Sequence, residues 1–446
     1  MEVLRAVGRT FLIGRCISVF VAVLSTAASQ AQQLPPANLD RGMMQPGQQS
    51  PSASALSLED LIREVEQRNP EILAAAEGYE AARQMPKSAG ALPDTEVTVQ
   101  HLSVGSPRPF AGYTNSDFAY IGFGASQQIP FPGKRALRSE AAEHEAEAVH
   151  ADADAVRREV VEKLKDAYFN LAAHQEIETI LDRDDKLLRE VAEVTESRYR
   201  VGQGSQQEVL KAQLQHTRIL QEMTMHHRDV GQLQAELKRL LNRPQSSPDI
   251  VAQPLAERAL ARTAEDLIEL ARKQNPALQN REAMLQSARS GVGLAQKEFR
   301  PDFNVQYMYE NNDRKFRDYY VATLSINLPN RGRRRAELAQ AEAKRGDAEQ
   351  RLQAEIQKQF AEIQSQYVLV QTASEQLKIY REGLIPQAQA TFRAALAAYQ
   401  SGRQDFETLN SSFVEALNLE SDYQRELAGH ESGLAHLEAL TGVNFQ

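Results

Sequence analysis

The feature that most constrains the fold is a long stretch, residues 134–200, that contains neither proline nor glycine. Apolar residues recur along it at steps of three and four, which is typical of a helix that packs against partners as a coiled coil. They are Ala146, Val149, Ala153, Val156, Val160, Leu164, Ala167 and Leu171. At about 1.5 Å per residue, such a helix is about 100 Å long, more than a compact domain needs. The sequence therefore predicts a rod that spans something.

A turn follows the rod, and a second helical stretch returns along it. The turn is Val201-Gly202-Gln203-Gly204, and the returning stretch runs from Ser205 to about Arg243. Gly202 and Gly204 are predicted to supply the positive φ that a tight reversal requires. Because the apolar stripe of the rod is rich in alanine, we expect neighbouring helices to approach it closely.

The N-terminus has the three parts of a secretory signal peptide, predicted to cover residues 1–31. They are a basic start with Arg5, Arg9 and Arg15, an apolar stretch from Ile17 to Leu24, and the small residues Ser29 and Ala31. Cleavage removes three arginines and one glutamate, so the formal charge changes from −9 to −11. The single cysteine, Cys16, is removed too, which excludes a disulfide or a thiolate metal site in the mature chain. Residues 32–55, rich in Pro, Gln, Ser and Ala, are predicted to form a flexible tail.

The composition argues against several function classes. No later stretch reaches the roughly 18 apolar residues of a membrane helix, so entry into a membrane would require strands. The acidic balance argues against nucleic acid as a partner. Nucleotide-binding, zinc-protease and serine-hydrolase motifs are missing from the sequence, so we expect neither an enzyme nor a cofactor.

One structural plan is repeated at an offset near 200 residues. The matching segments are Glu59-Asp60-Leu61-Ile62 with Glu265-Asp266-Leu267-Ile268, Asn69-Pro70 with Asn275-Pro276, Pro93-Asp94 with Pro301-Asp302, and Tyr199-x-x-Gly202 with Tyr399-x-x-Gly402. Each copy is predicted as helix, two strands, long helix, turn and long helix. The opening helices are expected to be continuous, from Leu58 to about Lys87 and from Ala264 to about Glu298. The predicted boundaries are 56–243 for the first copy, 244–262 for a linker, 263–443 for the second copy and 444–446 for the C-terminal end.

Alternating apolar and polar residues predict a β-hairpin in each copy. In the second copy the apolar positions are Phe303, Val305, Tyr307 and Tyr309, then Tyr320, Ala322, Leu324, Ile326 and Leu328. In the first they are Ala119, Ile121, Phe123 and Ala125, with a weaker partner around residues 96–104. Alternation alone fits a transmembrane strand and a half-buried strand of a soluble sheet equally well. The helix lengths favour the membrane, because they place all four strands at one end of a helical barrel.

Four strands cannot close a membrane barrel, and open sheet edges are not tolerated in lipid. We therefore expect several chains to complete one sheet. Two chains would supply eight strands and three would supply twelve, and only the larger barrel has a lumen comparable with a helical tube.

The duplicated plan, the Tyr-x-x-Gly turns and the junction Ile129-Pro130-Phe131-Pro132-Gly133-Lys134-Arg135 resemble the TolC-type outer-membrane efflux factors. The resemblance covers about Leu56 to Val443 and implies a mainly α fold with a small transmembrane β part. It implies a homotrimer with a twelve-stranded barrel in the outer membrane of a Gram-negative bacterium and an α-helical tunnel across the periplasm. It also implies the passive exit duct of a tripartite pump, with a periplasmic adaptor and an inner-membrane transporter as partners. The sequence is closest in style to the group that serves resistance-nodulation-division and heavy-metal pumps.

A soluble periplasmic coiled-coil adaptor or scaffold is the alternative function. Such a protein usually carries one helical hairpin between lipoyl-like and β-barrel segments, whereas this chain has two hairpins, each preceded by short strands.

The resemblance implies that the two helix-reversing turns are periplasmic tips that meet the adaptor. The residues predicted to dock are Tyr199, Val201, Gly202, Gly204, Tyr399, Gly402 and Arg403. The alternative is that these turns only reverse the helices. The tunnel is expected to close nearby, and the gate candidates are Glu208, Asp405, Glu407, Thr408 and Ser411. Family members often have an acidic ring where this chain has Thr408 and Ser411, so a solvated helix face is the alternative for each candidate.

Three further features have competing interpretations. Pro386, close after Gly383, is either a flexible point or a static kink in a long helix. Basic clusters where strands lead into helices oppose the helix macrodipole, so we expect them to contact outer-membrane lipid phosphates or solvent. They are Lys134, Arg135 and Arg138, then Arg331, Arg333, Arg334 and Arg335. The segment Met223-Thr224-Met225-His226-His227 has ligands that suit copper or silver. Because adjacent histidines on a helix point about 100° apart, no metal site is predicted.

Overall fold

The protein consists mostly of α-helices, with one small sheet. The computed structural model describes residues 57–103, 119–311 and 318–445, so the predicted signal peptide and tail lie outside the described residues. The helices are α1 (Leu58–Arg68), α2 (Pro70–Ala82), α3 (Met85–Ala89), α4 (Lys134–Arg200), α5 (Gln206–Leu240), α6 (Ala264–Gln274), α7 (Pro276–Lys297), α8 (Arg331–Ile379), α9 (Ile385–Gln400) and α10 (Phe406–Thr441). The strands are β1 (Glu96–Leu102), β2 (Tyr120–Ile129), β3 (Asp302–Asn311) and β4 (Tyr319–Asn327). Within the described ranges, no helix has the length and apolar character needed to cross a membrane.

The predicted rod is confirmed, because α4 covers all of residues 134–200. It begins after Gly133, whose φ of 92° belongs to the left-handed region, and it ends at the predicted turn. Along its length α4 packs against α7, α5 and α10. The elements from α1 to α5 and from α6 to α10 follow the same order, as the repeat predicts. The exact copy boundaries stay predictions.

The prediction of continuous opening helices is wrong. In each copy the helix ends at an asparagine, Asn69 or Asn275, and a new helix begins at the proline that follows. The residue before a proline is pushed out of the helical region, and both asparagines have extended backbones. Each asparagine side chain then caps the next helix, where proline is well tolerated at the first position.

The two capping asparagines also make the same long-range contact in both copies. The Nδ2 of Asn69 donates to the carbonyl oxygen of Leu240 (2.8 Å), at the end of α5. The Nδ2 of Asn275 donates to the carbonyl oxygen of Leu440 (2.9 Å), near the end of α10. Both asparagines are buried. Each therefore fixes the start of its copy to the end of the same copy.

The four strands form one antiparallel sheet in the order β1-β2-β3-β4. Each copy supplies one hairpin, and β2 of the first copy pairs with β3 of the second. In the described part of the chain, β1 and β4 are the edge strands and each has a partner on one side only.

Three apolar clusters hold the helices together. The first lies between α1, α4 and the end of α5, with Leu164 and Leu171 of α4 fully buried. The second lies near the turns, between α4, α5, α9 and α10. The third joins α6, α8 and α10 around Leu267, Ile363 and Leu434.

Pro386 lies in a helix that continues past it. The residues just before it, Tyr380–Leu384, form a π-helical turn between α8 and α9. A wider turn of this kind accommodates a residue that lacks a backbone N–H and would otherwise clash with the preceding turn. Whether this point flexes stays a prediction.

Candidate functional site

The sheet has one apolar face, which no other described element covers. Pairing places Val99, Phe123, Tyr309 and Tyr320 in one row across the four strands, and Val97, Ala125, Tyr307 and Ala322 in the next. Many of these side chains are more than half exposed, Val97 by 75% and Tyr320 by 60%. Exposed apolar side chains on this scale mark a surface that meets lipid or another protein.

The opposite face of the sheet is polar. Its positions carry mainly amide, hydroxyl or small side chains: Thr98, Gln100, Gly122, Gly124, Ser126, Gln128, Asn304, Gln306, Thr323, Ser325 and Asn327. Its largest side chain in the middle of β3, Met308, lies over Gly124, where a Cβ would come within 3.1 Å of the methionine. Glycine therefore leaves room for a large side chain to lie against the sheet instead of projecting from it. An apolar face opposite a polar face is what a strand between lipid and a water-filled lumen requires.

The two helix-reversing turns have nearly the same backbone. Gly202 has a φ of 73° and Gly402 a φ of 70°, so both need the left-handed conformation that glycine allows. The prediction of positive φ is wrong for Gly204. A Cβ there would lie 3.3 Å from the backbone nitrogen of Tyr199, so this glycine allows a close approach of the chain.

Arg198 joins the two turns. Its guanidinium donates to the carbonyl oxygen of Tyr399 and, at 3.2 Å, to that of Gln203. It also lies over the Tyr399 ring, 4.5 Å from the ring centre, a distance at which a cation is attracted to an aromatic face. Arg198 is therefore one of the side chains that hold the second turn against the first.

Tyr399, which was predicted to dock the adaptor, has its side chain buried between the two turns. Its side chain is only 1% exposed, and its hydroxyl lies 3.1 Å from both Thr195 Oγ1 and Glu208 Oε2. Burial, together with the Glu208 carboxylate, raises the pKa of Tyr399. Tyr399 stabilises the turns from within. Its counterpart Tyr199 is half exposed.

The gate candidates are engaged in local contacts. Asp405 caps α10, accepting from the backbone N–H of Thr408 (2.9 Å) and from its hydroxyl (2.7 Å), and these hydrogen bonds lower the pKa of Asp405. Glu407 forms an ion pair with Lys211 of α5. The hydroxyl of Ser411 donates to the carbonyl oxygen of Thr408. Their roles in gating stay predictions.

Lys134, one of the basic residues predicted to contact lipid, has its side chain buried within the chain. Its side chain is 1% exposed, and its Nζ lies 3.0 Å from Glu298 Oε2 and 2.9 Å from Asp302 Oδ1. It also donates to the carbonyl oxygen of Arg300 (3.1 Å). The interaction that offsets the unfavourable helix dipole is therefore a buried ion pair inside the chain, at the end of α7 and the start of β3.

Glu298 forms ion pairs with basic side chains from both strand-to-helix junctions. Besides Lys134, it pairs with Arg138 of α4 (3.3 Å) and with Arg334 of α8 (3.2 Å). Arg135 donates to the carbonyl oxygen of Gly90 (2.8 Å). Arg333 is exposed and paired with Glu337, and Arg335 is also exposed. For these last two arginines, lipid contact stays a prediction.

His226 has a partner that the sequence pattern did not indicate. Its Nδ1 lies 2.8 Å from Nδ1 of His174 on α4. Burial, and then the neighbouring His174, lower the pKa of His226 to about 4. A search of the described residues for three or more His, Cys, Asp or Glu side chains grouped to hold a metal ion finds none.

The sequence did not predict several of these contacts, and the reason is the same for each. Arg198, His174 and Glu298 lie outside the motifs that repeat, and their partners are far away in sequence. The repeat did offer one signal. At the offset of 200, Arg198 corresponds to Ala398 and Glu208 to Thr408, which marks both positions as different between the copies.

Comparison with solved structures finds the same fold. VceC, an outer membrane protein of Vibrio cholerae, is 18% identical with a TM-score of 0.73, over 87% of this chain and 97% of that one. The CmeC outer membrane channel of Campylobacter jejuni is 16% identical with a TM-score of 0.74, over 94% and 95%. The open state of the MtrE outer membrane channel of Neisseria gonorrhoeae is 19% identical with a TM-score of 0.73, over 87% and 89%.

Sequence comparison identifies the family. No curated protein sequence matches the chain significantly. The family described as outer membrane efflux protein matches residues 61–243 and 267–432, which is most of the chain and includes both copies. This match does not support the alternative of a periplasmic adaptor. The chain belongs to the outer membrane efflux protein family and is an outer-membrane exit duct for efflux.

Proposed function

We propose that three copies of this chain share one twelve-stranded barrel in the outer membrane, continued by a helical tunnel in the periplasm. The observation that carries this proposal is the four-stranded sheet with two edge strands and an uncovered apolar face. Lipid offers no hydrogen bonds to a strand edge, so β1 of one copy needs β4 of another. The apolar face then meets lipid, and the polar face lines the lumen.

The proposal predicts a homotrimer that conducts ions. Protein purified in detergent is expected to have the mass of three chains, and in a planar bilayer it is expected to give discrete current steps. A monomer that passes no current would contradict the proposal. A trimer without current would contradict the open lumen and leave the shared sheet in place.

We further propose that the two turns dock a periplasmic adaptor, which connects the duct to an inner-membrane transporter. Val201 supports this, because it is an apolar side chain at the tip of the first turn and is 69% exposed. Gly202, Gly204, Gly402 and Arg403 shape the two turns, and Tyr199 adds a half-exposed aromatic side chain beside Val201.

Substitution of Val201 tests the docking surface. Val201→Glu is expected to abolish efflux in cells while the trimer and its conductance remain, because it changes only an exposed side chain. Val251→Glu, at an exposed position of the linker, is the matched control and is expected to leave efflux unchanged. Normal efflux in Val201→Glu would show that the turn only reverses the helices.

The contacts between the two turns also suggest how the tunnel closes. Arg198, Tyr399 and the ion pair between Lys211 and Glu407 all connect the first turn to the second. We propose that these contacts hold the closed arrangement and that the adaptor or the transporter weakens them.

A further inference from the structure

His436 of α10 contacts two other long helices, α4 and α8. It lies on α10, and its Nδ1 is 2.6 Å from Glu162 Oε1 on α4. Its Nε2 is 3.4 Å from Glu362 Oε1 on α8. His436 lies 30 residues after Phe406, so it is about 45 Å along α10 from the turn. The contact therefore lies at the end of the second helical hairpin that is remote from the tip.

The geometry favours a protonated histidine. An ionised carboxylate only accepts hydrogen bonds, and a neutral imidazole has a single N–H. A histidine that faces a carboxylate with each ring nitrogen can satisfy both only as the imidazolium. Consistent with this, the hydrogen bond to Glu162 is the main influence on His436 and, although burial opposes it, the pKa is raised above 6.5.

The surroundings leave these two carboxylates as the charged partners of His436. From α4 the facing group is Glu162, and from α8 it is Glu362. The nearby Lys165 of α4 is paired with Glu438. The neighbouring residues Leu434 and Leu437 pack with Leu267 of α6 in an apolar cluster. Glu162 and Glu362 are the charged groups that influence the pKa of His436.

We propose that His436 is a pH-dependent contact that holds α10 to α4 and α8 in acid and releases it as the periplasm becomes alkaline. The device lies within one chain, so it does not depend on how many copies complete the barrel. A histidine with a raised pKa contributes stability that is fully present below about pH 6.5 and is lost as the pH rises through its folded-state value. The remote end of the second hairpin therefore loosens from neutral pH upward.

Hydrogen–deuterium exchange of the detergent-purified protein tests this. Peptides covering residues 427–441 are compared at about pH 6 and about pH 8.5 after correction for the intrinsic exchange rate. In the wild type, their opening is expected to increase several-fold at the higher pH. His436→Gln is expected to show fast opening at both values, and Glu362→Gln to show a smaller pH effect.

An exposed histidine elsewhere in the chain provides the control for this experiment. His227→Gln, which removes the imidazole of an 87% exposed histidine, is expected to behave as the wild type does. A pH effect in His436→Gln equal to that of the wild type would overturn the proposal, and so would slower opening at the higher pH. If His436→Gln does not assemble, Glu362→Gln decides alone, because Glu362 is 43% exposed and its loss is mild.

Discussion

Arg198 is the residue on which the contact between the two turns depends most. Its guanidinium donates to backbone carbonyl oxygens of both turns and lies over the ring of Tyr399. Hydrogen bonds from a charged donor are stronger than neutral ones, and they are kept here by a side chain that is packed between the turns. One residue therefore couples two turns that the chain builds separately.

Removal of this side chain is expected to favour an open tip. In Arg198→Ala, the loss of about 1–2 kcal/mol would shift a closed–open equilibrium about 5- to 30-fold toward the open state. Single-channel recordings are expected to show more time in a high-conductance state. Arg200→Ala, at an exposed position two residues away, is the control. Equal open times in both variants would contradict a role of Arg198 in closing the tunnel.

For single residues, the sequence predicted the location in the fold better than the burial of the side chain. Tyr199 and Tyr399 occupy the same place in one motif, and both were predicted to dock a partner. One is half exposed and the other is buried, because Arg198, Thr195 and Glu208 surround Tyr399. Local patterns fix the turn itself. They do not reveal which of two equivalent side chains a distant residue will cover.

An asparagine–proline pair divides the opening segment of each copy into two helices. Asn275 ends α6, caps α7 and donates to the carbonyl oxygen of Leu440, and Asn69 does the same in its own copy. The side chain of each asparagine therefore both caps a helix and forms a long-range hydrogen bond. The break also sets the angle between the two helices that flank it.

Alanine at these caps is expected to destabilise the protein strongly. Asn275→Ala removes the cap and the hydrogen bonds that the Asn275 amide donates to the carbonyl oxygen of Leu440 and to Gln359 Oε1, a loss of about 2–4 kcal/mol. Asn330→Ala removes only the cap of α8 and is expected to cost about 1 kcal/mol. Thermal unfolding of the two variants measures the difference. Similar losses in both would show that the contact with Leu440 contributes nothing.

The helices differ in how well their ends could be predicted from the sequence. The rod was predicted to the residue, because an unbroken apolar period and the glycines that flank it leave no alternative. The breaks at Asn69 and Asn275 were missed, although each Asn-Pro pair marks the repeat in the sequence. The local signal was the proline, which pushes the residue before it out of the helical region. The π-helical turn before Pro386 was not predicted, because a proline inside a long helix is compatible with a kink as well as with a wider turn.

The whole molecule depends on the junction between sheet and helices. Lys134, Glu298 and Asp302 form a buried ion cluster where β2 leads into α4 and α7 leads into β3, and Arg334 extends it to α8. Three of the four connections between the sheet and the helices therefore meet at one group of charges. Breaking a buried pair by removing one partner leaves an uncompensated charge.

Loss of Lys134 is therefore expected to be costly. Lys134→Met removes the cation that Glu298 and Asp302 share. Because Glu298 keeps Arg138 and Arg334, the cost arises mainly at Asp302 and is expected to be about 3 kcal/mol. Asp347→Asn breaks an exposed pair with Arg351 and is expected to cost less than about 1 kcal/mol. The yield and thermal stability of folded protein in detergent compare the two. Equal stability of both variants would refute the structural role of the cluster.

The sheet has a consequence for the cell. In the proposed shared barrel a chain cannot complete its sheet alone, because β1 and β4 each have an open side. A faulty copy whose β1 or β4 is damaged would enter a ring with intact copies and prevent it from closing. Such damage is expected to be dominant: a cell that makes both forms would lose transport out of proportion to the amount of faulty protein.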